Sequence, residues 1–421
     1  MQLTDILLKN FKGIENLSVC FKPGVNLIIG NNGAGKTSLL SGIGIAICNV
    51  ISWLPVGFRG IRQEDIFVTS ENTGDATTNL KYHTPVTIEA KFNYANKTYN
   101  SKITRRSESS NSETKDYDML RLMKEKVGNN QELPLLSYLN SGRTSRIEYS
   151  GNRQIQLKQG KVDRLTGYRS AFDEVLNFND IGDWCLRMDF AEYQMKKEVK
   201  EYSMFKNTVA SFISHLQNNV INPHVYYSSS WGSLVYVENG QETPFYNLSS
   251  GFQNVLCMAM ELAYRAAVLN PELKDVEDVQ GIVLIDEIEM HLHPAWQWKI
   301  VGALQKTFPK VQFIIATHSP IILSSAKDAT IFLMKSVNEI KVLDNAFGYK
   351  INDVLELRQG STDVPEEIAA YYDKIEKLLD PYDENKLAEI QKEITDKYGE
   401  DSYVAKSIHD FIKINTWIEE A

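Results

Sequence analysis

Val25-Asn-Leu-Ile-Ile29, running into Gly30-Asn-Asn-Gly-Ala-Gly-Lys-Thr37, is the stretch from which the rest of the chain is read. The apolar run suits a buried strand, and the glycines after it let backbone N–H groups turn inward around phosphates at the start of a helix. In this G-x-x-x-x-G-K-[ST] pattern Gly30, Asn31, Asn32, Gly33, Ala34, Gly35 and Ser38 are expected to line the phosphates. Lys36 would reach the β- and γ-phosphates, and Thr37 would ligate Mg²⁺. A chance glycine-rich turn is the alternative, but the strand and helix that the motif requires are both present. Ser38, Leu39, Leu40, Ile43, Ile47, Val50 and Ile51 continue as an amphipathic helix.

Two further apolar runs end in chemistry. Ile282 to Ile285 is a buried-strand signal that stops at adjacent carboxylates, so Asp286 is expected to hold the Mg²⁺ shell and Glu287 to polarise a water. Val311 to Ala316 runs into Thr317-His318-Ser319-Pro320. That places an imidazole at the carboxyl end of a parallel strand, where ligands bind in open α/β folds. His318 is therefore the candidate γ-phosphate sensor, although a histidine in such a place is by itself more often an ordinary strand-end residue.

Leu248-Ser-Ser-Gly-Phe-Gln253 resembles the signature sequence of the ABC ATPase superfamily, and the other motifs stand in that family's order. The resemblance covers residues 1–345 apart from an insert. It implies an α/β fold, an ABC-type P-loop head with a mixed and parallel sheet flanked by helices. It also implies ATP and Mg²⁺ as cofactors, and a second copy of the chain whose signature caps the ATP held by the first. Ser249, Ser250 and the backbone of Gly251 fit that role, because a hydroxyl and N–H groups at the start of a helix (Gln253 to Ala266) suit a phosphate. A helix N-cap with no ligand is the alternative.

Asn10-Phe11-Lys12 resembles the opening of the chromosome-maintenance (SMC) and RecF-type branch, where a basic residue after the aromatic lies near the nucleotide, which makes Lys12 a candidate. ABC heads sense Mg²⁺ and water with a glutamine. Gln63 is the candidate here, against the plainer reading of an exposed loop residue. The string Asp286-Glu-Ile-Glu-Met-His-Leu-His-Pro-Ala-Trp-Gln297 resembles the overcoming-lysogenization (OLD) and RecF-like ATPases. With its acidic helical tail the chain looks most like the PtuA family, the ATPases of Septu and retron-associated anti-phage systems. That resemblance implies an HNH-type nuclease partner, alone or with a retron reverse transcriptase and its nucleic acid. A RecF-like repair ATPase binding duplex DNA and an ATP-dependent assembly scaffold with little hydrolysis are the other readings. No Toprim-like segment follows His318, so an in-chain nuclease is not expected.

The organisation expected is an N-terminal half-head at 1–69, a compact α+β insert at 70–240, a C-terminal half-head at 241–357 and an acidic helical tail at 358–421. Thr69 to Asn79 reads as a loop, strands are expected around Val86 to Tyr94 and Tyr99 to Ile103, and Ser107 to Thr114 as a mobile polar stretch. Helical periodicity runs from Tyr168 to Ile213 through Phe172, Val175, Leu176, Trp184, Leu186, Met188 and Phe190, and Leu234 to Val237 with Asn239-Gly240 reads as a hairpin. No sustained heptads appear between Thr69 and Asn247, which excludes a long coiled-coil arm. In the tail, one stripe is Ile368, Tyr371, Tyr372, Ile375, Leu378 and Leu379, a second Leu387, Ile390 and Ile394, and a third Val404, Ile408, Phe411 and Ile412. These faces suit either packing on the ATPase core or docking of a partner.

Composition bounds the rest. The formal net charge of −9 argues against uniform coating for nucleic acid, but the charge is uneven. Lys102 to Arg169 carries 14 basic against 8 acidic residues, a net +6, whereas Asp363 to Glu420 carries 7 against 16, a net −9. The basic stretch, with polar Ser141 to Lys161 inside it, reads equally as a solvated surface or a nucleic-acid or partner surface. With no apolar run of bilayer length and no signal-peptide pattern at Met1 to Asp5, a cytoplasmic protein without a membrane partner is expected. Cys20, Cys48, Cys185 and Cys257 are scattered, and Cys48 and Cys257 lie on apolar helical stretches, which favours buried free thiols over disulfides or zinc. His291-Leu-His293 lacks the further ligands of a metal site and reads as structural or interfacial.

Overall fold

The computed structural model of the 421-residue chain describes residues 1–54, 59–72, 78–115, 118–140, 163–172, 178–217, 220–343, 345–354, 365–379, 383–400 and 402–419. Apolar runs set the central layer. β3 (Val25–Ile29), β13 (Gly281–Ile285) and β14 (Val311–Ala316) are buried at every position, as parallel strands covered on both faces must be. With β9 (Leu135–Leu139), β15 (Thr330–Ser336) and β16 (Glu339–Leu343) they form a sheet ordered β16-β15-β3-β14-β13-β9, parallel except at β16. Its register levels the three motif-bearing strands. Ile315 stands opposite Leu27 on one side and Ile285 on the other, so the segments that follow β3, β14 and β13 leave the sheet at one edge.

A second, antiparallel sheet is ordered β2-β1-β6-β7-β8, from β1 (Gln2–Phe11), β2 (Ile14–Cys20), β6 (Val86–Tyr94), β7 (Lys97–Arg105) and β8 (Ser112–Lys115). Strands were expected at β6 and β7; β8 overlaps the end of the stretch Ser107 to Thr114 read as polar and mobile. The interval 70–240, read as an insert, thus supplies strands to this sheet and β9 to the central one. Helix α1 (Lys36–Val50) packs against β1, β6, β7 and β14, between the two sheets. Every α1 residue except Thr37 and Ser38 is buried. The expected amphipathic pattern is therefore corrected: a helix clamped between layers is buried on nearly all sides, and its few polar side chains, such as Asn49 on Ser101, find partners there. Gln312 stitches the layers, its Oε1 accepting the Leu3 N–H at 2.7 Å while its Nε2 donates to the Leu3 and Lys22 carbonyls at 2.9 and 2.8 Å.

The expected loop at Thr69 to Asn79 is corrected at its two ends, while residues 73–77 lie outside the described residues. β4 (Phe67–Asn72) pairs antiparallel with β5 (Thr78–His83), and Phe67 and Val68 opposite His83 and Tyr82 set the register. Polar strands of this kind carry too little alternation to be found by periodicity. β10 (His224–Ser228), β11 (Ser233–Glu238) and β12 (Gln241–Pro244) form a meander whose last turn holds Asn239 and Gly240 at positive φ, the hairpin read from the sequence. After α1, the described α-helices before residue 350 are α2 (Asp118–Gly128), α3 (Phe178–Met195), α4 (Lys200–Leu216), α5 (Ser250–Leu269), α6 (Pro294–Thr307) and α7 (Pro320–Ser325). Trp184 of α3 meets Tyr202, Phe205 and Tyr264 edge-on at 5.2–5.6 Å. Phe190, counted in the α3 stripe, is exposed. Cys48, Cys185 and Cys257 are buried, Cys20 is exposed, and all four are free thiols. Val175, Leu176, Ser141 to Lys161 and the first residues of the expected tail lie outside the described residues.

Residues 1–349 form one compact unit and 350–421 another. The second holds α8 (Ile351–Val354), α9 (Glu366–Leu379), α10 (Glu384–Tyr398) and α11 (Tyr403–Glu419). Ile368, Tyr371, Ile375, Leu387, Ile394, Ala405, Ile408 and Ile412 make a core of its own. The three stripes thus bury against one another, an arrangement that neither sequence expectation named. No described helix is long and apolar enough to cross a membrane.

Candidate functional site

The P-loop leaves β3 with Gly30, Gly33 and Gly35 all at positive φ. At Gly30 a Cβ would stand 2.4 Å from the Met334 carbonyl oxygen, so the neighbouring strand as well as φ reserves the position for glycine. Gly35 is the left-handed N-cap of α1 and supplies no side-chain cap. First-turn N–H groups without a side-chain acceptor suit an anion. Lys36 is 6 % exposed, and its Nζ donates to the Gly30 and Asn31 carbonyls at 2.7 and 3.1 Å. Burial lowers the pKa of its ammonium, and the Asp286, Glu289 and Glu287 carboxylates oppose that shift. The lysine and the acids beyond β13 therefore share one field. Asn31, Asn32, Gly33 and Thr37 are exposed, Ala34 is buried and Ser38 is half-buried.

Asp286 is buried at the end of β13, its N–H donating to the Leu139 carbonyl at 2.8 Å. Glu287, next in line, is half-buried at φ 48°, a conformation that a non-glycine residue keeps where its surroundings impose it, often at functional sites. The loop then turns tightly, with Met290 N–H on the Glu287 carbonyl at 3.0 Å and Leu292 N–H on that of Glu289 at 2.9 Å. The carboxylate of Asp286 and the hydroxyl of Thr37 are hard oxygen donors, which fit Mg²⁺, a cation that ordinarily keeps waters and substrate oxygens as further ligands. His293 caps α6, its Nδ1 accepting the Ala295 N–H at 3.2 Å, and His291 is exposed. Among the described residues no three His, Cys, Asp or Glu side chains gather as a metal site.

His318, half-buried after β14, is held by a residue that the motif reading passed over. Glu289 accepts the His318 backbone N–H at 2.6 Å through Oε1 and the Thr317 hydroxyl at 2.7 Å through Oε2. Thr317 Oγ1 in turn accepts the Ser319 N–H at 3.0 Å, and Ser319 Oγ donates to Gln297 Oε1 at 2.6 Å. The signal that pointed to Glu289 was its place in Asp286-Glu-Ile-Glu289, but the pattern gives no partner for the second glutamate.

Ser249 caps α5, its Oγ accepting the Phe252 N–H at 3.4 Å, so the helix starts at Ser250, ahead of the expected Gln253. Ser249 and Ser250 are exposed. The underside of this helix start is fixed on its own chain. A Cβ on Gly251 would meet the His291 carbonyl oxygen at 2.4 Å, Asn254 Nδ2 donates to the Met290 carbonyl at 2.8 Å, and Phe252 packs on Tyr236 and Trp296.

Lys12 and Gln63 come to one corner. The Lys12 ammonium donates to Ser41 Oγ on α1 at 3.2 Å and stands 3.9 Å from Asp65 Oδ1, and its N–H donates to the Asp65 carbonyl at 2.7 Å. Asp65 is fully buried and also accepts from Arg59 Nη2 and the Arg62 N–H. Gln63 is exposed on the short turn that Asp65 anchors. Periodicity missed Asp65 because an acid in a Gln-Glu-Asp run reads as a solvated turn.

A family model described as "AAA domain, putative AbiEii toxin, Type IV TA system" matches residues 25–324. The chain is 29% identical to the Retron Vc95 probable ATPase of Vibrio cholerae serotype O1 biovar El Tor, over 93% of this chain and 86% of that protein. It is 26% identical to the Septu protein PtuA of Bacillus thuringiensis, over 92% and 91%. Among solved structures it resembles the SmcHead bound to the C-winged helix domain of ScpA, with 12% identity, 82% and 98% coverage and a TM-score of 0.51, a likeness of fold.

Proposed function

This chain belongs to the AAA-domain family whose model spans its P-loop, signature and Asp286-Glu287 segments, and on that premise we propose an ATP-hydrolysing head that works in pairs and regulates a nuclease in anti-phage defence. The observation that carries the reading is the level register of β3, β14 and β13, which sends the P-loop, the Thr317-His318 loop and the Asp286-Glu287 pair off one sheet edge. The signature serines, by contrast, are exposed at the start of α5.

In this reading the P-loop amides and Lys36 grip the triphosphate of ATP, and Glu287 orients and polarises the attacking water. His318 meets the γ-phosphate, and Ser249 with the Gly251 N–H of a second copy closes the site. Thr37 and Asp286 would hold Mg²⁺, with Gln63 as a further candidate near it; the cation supplies positive charge to the phosphate oxygens. Positioning and charge are the main demands of phosphoryl transfer, and the residues named are of the kind that supply them. Lys12, committed to Ser41 and Asp65, is assigned a supporting place at the edge of the nucleotide site. The retron and Septu names of the relatives support the defence setting, and the nuclease partner rests on the resemblance to the PtuA family.

Sedimentation of Glu287→Gln protein tests the pairing. ATP should double its mass, and Ser249→Arg in the same chain should abolish the change; a mass that ignores ATP would overturn paired heads. Co-expression with the neighbouring genes, capture and mass spectrometry tests the partner. A nuclease in the captured complex supports the defence role, whereas duplex DNA held without a nuclease turns the reading toward repair.

A further inference from the structure

We propose that Glu289 is the positioning residue of His318, acting by hydrogen-bond geometry rather than by charge on the nucleotide or metal. The proposal deepens the reading above and rests on His318 contacting the γ-phosphate.

Glu289 is the third acid and the last residue of Asp286-Glu-Ile-Glu289, whose first two acids are already assigned to the cation and the water. A third acid beside Lys36 could serve as another metal ligand or base. Its bonds point elsewhere. Both carboxylate oxygens are engaged with the loop after β14, one by the His318 N–H at 2.6 Å and one by the buried Thr317 hydroxyl at 2.7 Å. A two-point bond fixes the peptide that carries the imidazole, much as a paired acceptor fixes a guanidinium. Glu289 itself has little room to move. Its N–H···O-bonded turn lies between Glu287 at φ 48° and His291 at φ 63°, and α5 holds the next carbonyl, that of Met290, through Asn254. The His318 loop is thus referenced to the start of α5, where Ser249 stands. Ser319 adds a third tie through Gln297, which donates to the Leu292 carbonyl of the same loop at 3.0 Å.

The distinction between geometry and charge gives a sharp test. In Glu289→Gln the amide oxygen still accepts the His318 N–H, and the amide NH₂ donates to the Thr317 oxygen, which has a lone pair to spare. Glu289→Ala loses both bonds. Steady-state hydrolysis should therefore show kcat down roughly ten- to a hundredfold in Glu289→Ala, since sub-ångström placement controls rates on this scale. KM for ATP should stay within about twofold, because no ground-state contact is removed, and Glu289→Gln should stay within about threefold of the parent, having kept both bonds. In a His318→Ala background Glu289→Ala should add less than about twofold, the non-additivity of residues that act through one another.

A Glu289→Gln loss as deep as that of Glu289→Ala would overturn the proposal, because charge would then be what matters. So would full additivity with His318→Ala. Should Glu289→Ala fail to fold, Thr317→Val removes one of the two bonds and leaves the carboxylate, and its kcat loss must likewise vanish in the His318→Ala background. Unchanged turnover in His318→Ala alone is a separate outcome: it removes His318 from the site and with it the ground of this proposal, whatever the Glu289 variants do.

Discussion

The P-loop keeps Lys36 6 % exposed and bonded to two carbonyls of its own loop, whereas the signature leaves Ser249 exposed with its hydroxyl accepting one N–H at 3.4 Å. The difference is one of completeness. The half proposed to grip the triphosphate is organised within a single chain, by glycine backbone, a buried lysine and the carboxylates that oppose its desolvation. The half proposed to cap has a fixed underside, where Gly251 and Asn254 meet the loop after β13, and exposed serines at its helix start. An asymmetry of this kind is what a composite site needs: binding that one chain supports, and closure that waits for another. It also suggests why the two should fail differently when altered.

The largest expected effect lies where the halves meet chemically. Glu287→Gln should lower ATP turnover by about two to four orders of magnitude, the usual worth of a general base, and leave binding of a fluorescent ATP analogue intact. Normal hydrolysis in that variant would take Glu287 out of the site. Lys36→Ala comes next and attacks the gripping half, so equilibrium binding itself should weaken about a hundredfold, as loss of charge-assisted hydrogen bonds does. If affinity holds, the comparison breaks, because the buried lysine would not be the grip. Ser249→Arg should spare that single-chain affinity while cutting turnover about tenfold or more, the scale on which a lost transition-state contact is felt. A parallel fall in affinity would mean that the signature binds in cis. Lys12→Ala should be the mildest, below about threefold on ATP affinity, since its ammonium is partly solvated and already paired with Asp65 and Ser41.

Residues with local reasons were legible. The P-loop, the Asp286-Glu287 pair and the signature could be proposed from the sequence because each needs particular residue types at adjacent positions, after a strand or before a helix, and spacing alone carries that requirement. The three tail stripes were legible as apolar faces for the same reason, since a helix repeats its pattern every few residues. Their occupant was not, because a stripe states that something must cover it and leaves the partner open. Here the stripes of α9, α10 and α11 cover one another.

What escaped the reading was set by contacts between distant segments. α1 was expected to have a polar face, and burial on nearly all sides follows only from the layer that β1, β6 and β7 place above it. The β4–β5 hairpin escaped because its strands are polar. Asp65 and Glu289 escaped because a carboxylate in sequence has no visible partner, and theirs lie at Lys12, far earlier in the chain than the turn of Gln63, and at His318, beyond a whole strand and helix.

By itself, then, the sequence carried the motifs on which nucleotide binding is proposed, because phosphate recognition is a local property of backbone and neighbouring side chains. Tertiary structure decided which strands stand level, which acid holds the His318 loop and which face of the signature is left exposed. Those are matters of register and burial, and they exist once residues far apart in the chain have been packed together.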